Sequence, residues 1–284
     1  MKKSFFYTAA IVAALTLMFC SFTATATATD HAITVTDYRA GENDRHIQIC
    51  AAGQELRFLS TDCGVPFIDT QNRVQVPARE FAEAIGGVVQ YSDAEKTVTI
   101  SNLTGTVVFQ VGSNQILCGG TAREMDTTAQ NVGGQIYVPL RALSEALGFT
   151  VEYRAEKAAS ADCRISRDKV VSGEMRQQLI GVPATAPEPL NSKELDMLIE
   201  LYNQMCMVSP RYAVDRFDTV NSYSGWVYLT MQDGAKVDLC LRMQEEWEVR
   251  CFTGPEEKDN FVMHSPDLYA FIARLYDSEW TPAL

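Results

Sequence analysis

Histidine is scarce: the 284 residues hold three, at His31, His46 and His264, with no run among them. That argues against a His-rich metal site. No two cysteines stand in Cys-x-x-Cys spacing, so a thioredoxin-like motif or a zinc ribbon has no support. There is no Gly-x-Ser-x-Gly elbow, P-loop, His-Glu-x-x-His pair or Gly-rich dinucleotide loop. Positive charge is also short, with 24 Lys and Arg against 36 Asp and Glu and a net charge of −12. Such acidity argues against nucleic acid and anionic membrane surfaces as partners. The rest is ordinary: 46% hydrophobic and 21% charged residues describe a folded chain with room for two domains.

Lys2 and Lys3 precede a nearly unbroken apolar stretch from Phe5 to Phe19, then a small-residue tract from Thr23 to Thr29. This order predicts a secretory signal peptide over residues 1–28, with the mature chain beginning near Thr27 or Thr29. The apolar run is shorter than the roughly 20 residues a spanning helix needs, although retention as an anchor is the alternative. A lipoprotein reading of Cys20 is weakened by the bulky Phe19 before it. Cleavage would remove two lysines, taking the charge to −14, and leave seven cysteines: Cys50, Cys63, Cys118, Cys163, Cys206, Cys240 and Cys251. An odd count leaves at least one unpaired. Export makes disulfides possible, and burial as small hydrophobes is the competing reading. No stable membrane span is expected after cleavage, and no sorting motif is evident at Thr281–Leu284.

An internal repeat organises the first half. Val76-Pro77-Ala78-Arg79-Glu80-Phe81-Ala82-Glu83-Ala84-Ile85-Gly86 recurs as Val138-Pro139-Leu140-Arg141-Ala142-Leu143-Ser144-Glu145-Ala146-Leu147-Gly148, and eight of sixteen positions match when extended to Tyr91 and Tyr153. Each copy places Pro where a helix begins, apolar residues at helical spacing, and a glycine (Gly86, Gly148) where a left-handed cap is wanted. Strands are predicted after each helix, at Val88–Ser92 and Thr97–Ser101 and again at Thr150–Arg154 and Asp162–Ser166. Hairpins are predicted before them, at His46–Cys50 with Glu55–Leu59 and at Gln115–Cys118 with Thr121–Met125. The fold class expected is therefore α+β, a duplicated hairpin–helix–hairpin unit. Arg79 with Glu83, and Arg141 with Glu145, are i, i+4 pairs. They read as surface ion pairs worth a few tenths of a kcal/mol rather than as a site.

The two Val-Pro-x-Arg…Glu-Ala-[Ile/Leu]-Gly segments, with Gly-Gly-Gln-Ile-Tyr leading into the second, resemble the copper amine oxidase N-terminal-like domain, or stalk domain, over residues 45–166. The first copy departs in having Ala78 where the family has Leu and in the lead-in Asn72-Arg73-Val74-Gln75. The resemblance implies a non-catalytic spacer or binding module of secreted Gram-positive proteins, often fused to a wall-active or substrate-binding domain. It does not imply copper or oxidase chemistry, which belong to a different domain of those enzymes. No Asn-Tyr-Asp/Glu quinone precursor occurs here, and no cofactor is expected.

Three prolines within residues 181–190 suggest that 167–190 is a linker, with a short helix over Lys169–Ile180. Residues 191–284 predict a small α+β domain, an antiparallel sheet of about four strands with two helices. Asn191-x-x-Glu194 reads as a capping box opening a helix to about Met207. Strands follow at Trp226–Met231, Lys236–Met243, Trp247–Phe252 and Asn260–His264, then a helix from Ser265-Pro266. A two-residue Asp233-Gly234 turn would pair Met231 with Lys236 and put Trp226, Tyr228, Val237, Leu239 and Leu241 on one core face.

Four constellations of side chains could carry chemistry. Glu245, Glu246 and Glu248, with Asp238 nearby, could serve glycosidase chemistry but read first as a solvated cluster. Cys206 and His264 could form a nucleophile–base pair, against Cys206 as core. Cys240 and Cys251 lie on neighbouring strands and could form a disulfide. Trp226 and Tyr228 could be a carbohydrate platform, against core packing. The expectation is a secreted, non-enzymatic cell-envelope protein whose partner is a cell-wall polymer or an exported protein. A wall-active hydrolase and a secreted regulator of a partner enzyme are the alternatives.

Overall fold

A computed structural model describes residues 31–58, 64–178, 186–213, 224–242, 248–254 and 259–276. The expected signal peptide, Cys63, Glu245 and Glu246 lie outside these. The described residues are α+β, with strands predominating.

The two copies of the repeat meet each other. Strand Val74–Pro77 pairs antiparallel with Gln135–Pro139, with Val76 opposite Val138, Pro77 opposite Tyr137 and Pro139 opposite Gln75. Val76 and Val138 are equivalents in the repeat, so the ladder carries a local two-fold, the self-complementary arrangement of an isologous contact. Both strands run straight into helices, α1 (Ala78–Ala84) and α2 (Leu140–Ala146), each entered through its Pro. Each helix ends in a Schellman cap. Gly86 (φ +78) donates to Glu83 and Gly87 to Ala82, while Gly148 (φ +86) donates to Glu145 and Phe149 to Ser144. Phe81 and Leu143, both fully buried, bring the helices into one core with Ile33, Ile49, Ile100, Phe109 and Leu147.

Around this centre the hairpins differ. After α1, Val88–Ser92 pairs with Thr97–Ser101 as expected, and the chain continues through Thr106–Gln110, Gln115–Cys118 and Thr121–Glu124 as a five-stranded meander. After α2, Thr150–Lys157 does not turn back on a strand at Asp162–Ser166, which is irregular with a 3-10 turn at Ala161–Cys163. Its partner is Ala32–Arg39, in parallel register, with Ala32 opposite Thr150. That strand precedes the expected start of the domain at residue 45. It also pairs with Arg45–Ala51, which pairs with Gln54–Leu56.

The second half builds one seven-stranded sheet in the order Glu188–Pro189, Val170–Gln178, Ser224–Met231, Lys236–Arg242, Glu248–Phe252, Asn260–His264 and Tyr212–Ala213. Val170–Gln178 was expected to be a linker helix. It is instead a strand paired with Ser224–Met231, from Ser172 opposite Thr230 to Gln178 opposite Ser224. Helices α3 (Ser192–Val208) and α4 (Pro266–Tyr276) share one core with this sheet. The capping box at Asn191 and Glu194 is formed, and Ser265 Oγ accepts from the Leu268 amide.

The Asp233-Gly234 turn is one residue longer than expected. Met231 N–H donates to Ala235, Gly234 has φ +83, and Thr230 rather than Met231 faces Lys236. This is a three-residue loop with glycine at its left-handed position. A slip of one residue turns a strand over. Val227 and Leu229 therefore join Val237, Leu239 and Leu241 beneath the helices, and Trp226 and Tyr228 go to the opposite face with Cys240 and Phe252. The same parity removes the Cys240–Cys251 disulfide. Cys240 faces Arg250, Leu239 faces Cys251, and the two thiols lie in separate clusters on opposite faces.

Candidate functional site

Three places gather polar chemistry. The first is a carboxylate knot. Ala32–Arg39 alternates inward Ile33, Val35 and Asp37, and Asp37 is 0% exposed. Its oxygens accept from Arg45 Nε at 2.9 Å, Arg39 Nε at 2.6 Å and the Tyr153 hydroxyl at 2.6 Å. Burial alone would raise this carboxyl. The hydrogen bonds from Arg45, Tyr153 and Arg39 outweigh it and hold the pKa below the ordinary value. The knot ties Thr150–Lys157, which follows the second repeat copy's helix, to Ala32–Arg39. Beside it opens a cleft of about 530 Å³ with an apolar floor (Val35, Ile68, Leu140, Val151) and a rim that includes Arg73, Arg123 and Arg141.

The repeat pairs themselves are solvated. Arg79 lies 3.9 Å from Glu83 and Arg141 4.0 Å from Glu145, with all four side chains more than half exposed. Such pairs contribute little. Pro77, Pro139, Gly86 and Gly148 act in the backbone, as helix entries and caps. A less visible tie is Asp69, whose Oδ1 accepts the Gln71 and Arg73 amides at 3.0 and 2.8 Å, and whose Oδ2 accepts from Gln75 Nε2 at 2.8 Å and Thr127 at 2.5 Å.

The second place is the junction between the two cores. On the C-terminal side, Asn203 of α3 accepts from the Ile165 amide and donates to its carbonyl, both at 2.8 Å, which holds the 165 segment to its own core. Arg164 forks onto Asp44, Arg57 pairs with Asp267 of α4, and Tyr202 donates to the Cys163 carbonyl at 3.1 Å. Alongside runs a groove of about 310 Å³ that includes His46, Glu55, Arg57, Asn203 and Asp267. Burial pushes His46 down to about 4 and raises Glu55 and Asp267. The groove therefore holds a neutral imidazole beside two carboxyls that take up protons more readily than usual.

The third place is the outer face of the seven-stranded sheet. Trp226 stacks on Tyr228 at 5.9 Å and on Phe252 at 5.6 Å, with Arg176 5.8 Å over the Tyr228 ring. Trp226 is only 9% exposed. The ring faces pack on one another and on the guanidinium, which fits a packed cluster better than an open sugar platform. Glu248 joins Arg250 at 2.7 Å, and both are largely buried. Cys206 does not meet His264. Its Sγ lies 2.7 Å from Cys163, while His264 packs its ring against Tyr212. Among the described residues no group of three or more His, Cys, Asp or Glu could hold a metal ion.

Sequence reasoning missed Asp37, Asp69, His46 and the Cys163–Cys206 approach. Asp37 could have been found, because it occupies an inward position of the alternating run Ile33-Thr34-Val35-Thr36-Asp37. The cysteines, 43 residues apart, gave no local signal.

No curated protein matches the chain. Residues 59–160 match the family model described as the copper amine oxidase N-terminal domain, which supports a copper amine oxidase N-terminal-like domain in this part of the chain and suggests a stalk-like module.

Proposed function

We propose that this is an exported, non-enzymatic protein of the cell envelope. Its duplicated stalk-like unit associates with the wall, and its C-terminal domain presents a binding surface for a wall polymer or an exported protein. The observation that carries the reading is the junction. A spacer holds a partner domain in a defined direction only if the two are fastened. Here Arg164–Asp44 and Arg57–Asp267 bridge the two cores, while the Asn203–Ile165 exchange holds the segment that carries Arg164 to the C-terminal core. The secretory-type order of residues 1–28 agrees with export.

The test is sedimentation of the full mature chain with purified Gram-positive sacculi. Saturable pelleting without release of soluble wall fragments supports the reading. Absence of pelleting contradicts wall association and points to a diffusible regulator, and fragment release would make the protein a wall hydrolase. The chain is best kept whole. A cut near Ala186 would remove Val170–Gln178 from the sheet it pairs with.

A further inference from the structure

We propose that Cys163 and Cys206 form a disulfide that staples the exit of the stalk-like unit to helix α3, made by exchange with an external disulfide. Cys163 sits in the 3-10 turn Ala161–Cys163, just beyond the matched family segment, and Cys206 sits in the last turns of α3. Their Sγ atoms are 2.7 Å apart. A disulfide needs about 2.05 Å, so a small side-chain movement closes the bond. The backbones are held together without the sulfurs. The Ala159 amide donates to Met207 and the Ser160 amide to Cys206, both at 2.9 Å, and Tyr202 donates to the Cys163 carbonyl.

The two thiols divide the work. Cys163 is half-buried and open to an attacking reagent, while Cys206 is fully buried. The contact with Cys206 lowers the Cys163 thiol pKa against a rise from burial, and the Arg211 guanidinium adds to the lowering. Burial pushes the Cys206 thiol up, so Cys163 is the one that attacks. Its thiolate displaces one thiolate from the external disulfide and forms a mixed disulfide. Cys206 then gives up its proton and attacks Cys163 Sγ, releasing the second external thiol. Two protein thiols are oxidised, and one external disulfide is reduced to two thiols. Cys240 and Cys251 cannot compete as a pair, since they lie on opposite faces of the sheet. The pairing is a property of the fold and is independent of the wall reading. Export would supply the oxidising compartment.

The test uses the purified full chain with oxidised glutathione as probe, followed by thiol counting, intact mass and peptide mapping. The expected result is loss of two thiols and about 2 Da, one cross-linked peptide pair joining Cys163 to Cys206, and a raised unfolding midpoint that reductant reverses. Cys163→Ser should abolish the cross-link and leave Cys206 slow to alkylate, while Cys251→Ala should leave the cross-link intact. The proposal is overturned if both thiols persist under conditions that oxidise a small dithiol, or if the map joins other cysteines. Mapping on the unsubstituted chain decides the matter even if a variant fails to fold.

Discussion

His46 offers the most quantitative perturbation. It lies in the groove between the two cores, where burial takes its pKa from 6.5 to about 4. The unfolded chain therefore binds a proton at a pH where the folded chain does not. Stability contributed by the neutral imidazole is full above about pH 6.5 and is lost as pH falls towards 4. Over the whole window the loss approaches about 3 kcal/mol, at 1.36 kcal/mol per unit. At pH 4.5 most of it, about 2.5 kcal/mol, is already gone. Glu55 and Asp267 face the same groove with pKa values raised by burial, so their contributions run the other way, strongest in acid and lost as pH rises. Comparing the protein with His46→Gln isolates the imidazole from both. Urea unfolding at pH 7.5 and 4.5 should show the native protein losing about 2.5 kcal/mol more than the variant, near 1 M in midpoint. A difference below about 0.5 kcal/mol would refute the buried neutral imidazole.

Other substitutions test the stalk-like unit. Asp37→Ala leaves Arg45 and Tyr153 facing a lost carboxylate and should cost about 3 kcal/mol, near the lower bound for a broken buried pair because Arg39 and Arg45 reach solvent. Chemical denaturation checks it, and a cost under about 1 kcal/mol would contradict the knot. Gly148→Ala puts a side chain at φ +86 with no close clash, so about 1 kcal/mol of backbone strain should appear in the thermal midpoint. Arg141→Ala removes only a solvated pair and should change stability by less than about 0.5 kcal/mol.

Local signals read well from the sequence. Pro77, Pro139, Gly86 and Gly148 bounded both helices because proline and glycine act on their own backbone, and Asn191 with Glu194 opened α3 in the same way. Asn260–His264 is a strand as expected, and Gln115–Cys118 pairs across Gly119-Gly120 with Thr121–Glu124 as the hairpin signal around glycine predicts. Non-local pairing did not read. The parallel partner of Thr150–Lys157 lies 118 positions earlier in register, where no turn connects the two. Val170–Gln178 has weak alternation, carries a bulge between Val170 and Ser172, and becomes a strand by pairing with Ser224–Met231. At Asp233-Gly234 the turn residues were right and the loop length was wrong. One residue moved Trp226 and Tyr228 to the other face and undid both the expected core face and the Cys240–Cys251 pairing. The polar knots at Asp37 and His46 depend on strands and loops that only the fold brings together.

The central claim is that the stalk-like unit and the C-terminal domain are held in one direction. Its most direct test is a distance distribution between spin labels on non-natural residues at Leu103 and Lys193, both exposed and one on each side of the junction. The account predicts a single narrow distribution that broadens in Arg57→Ala combined with Arg164→Ala. A broad distribution in the unsubstituted protein would contradict it.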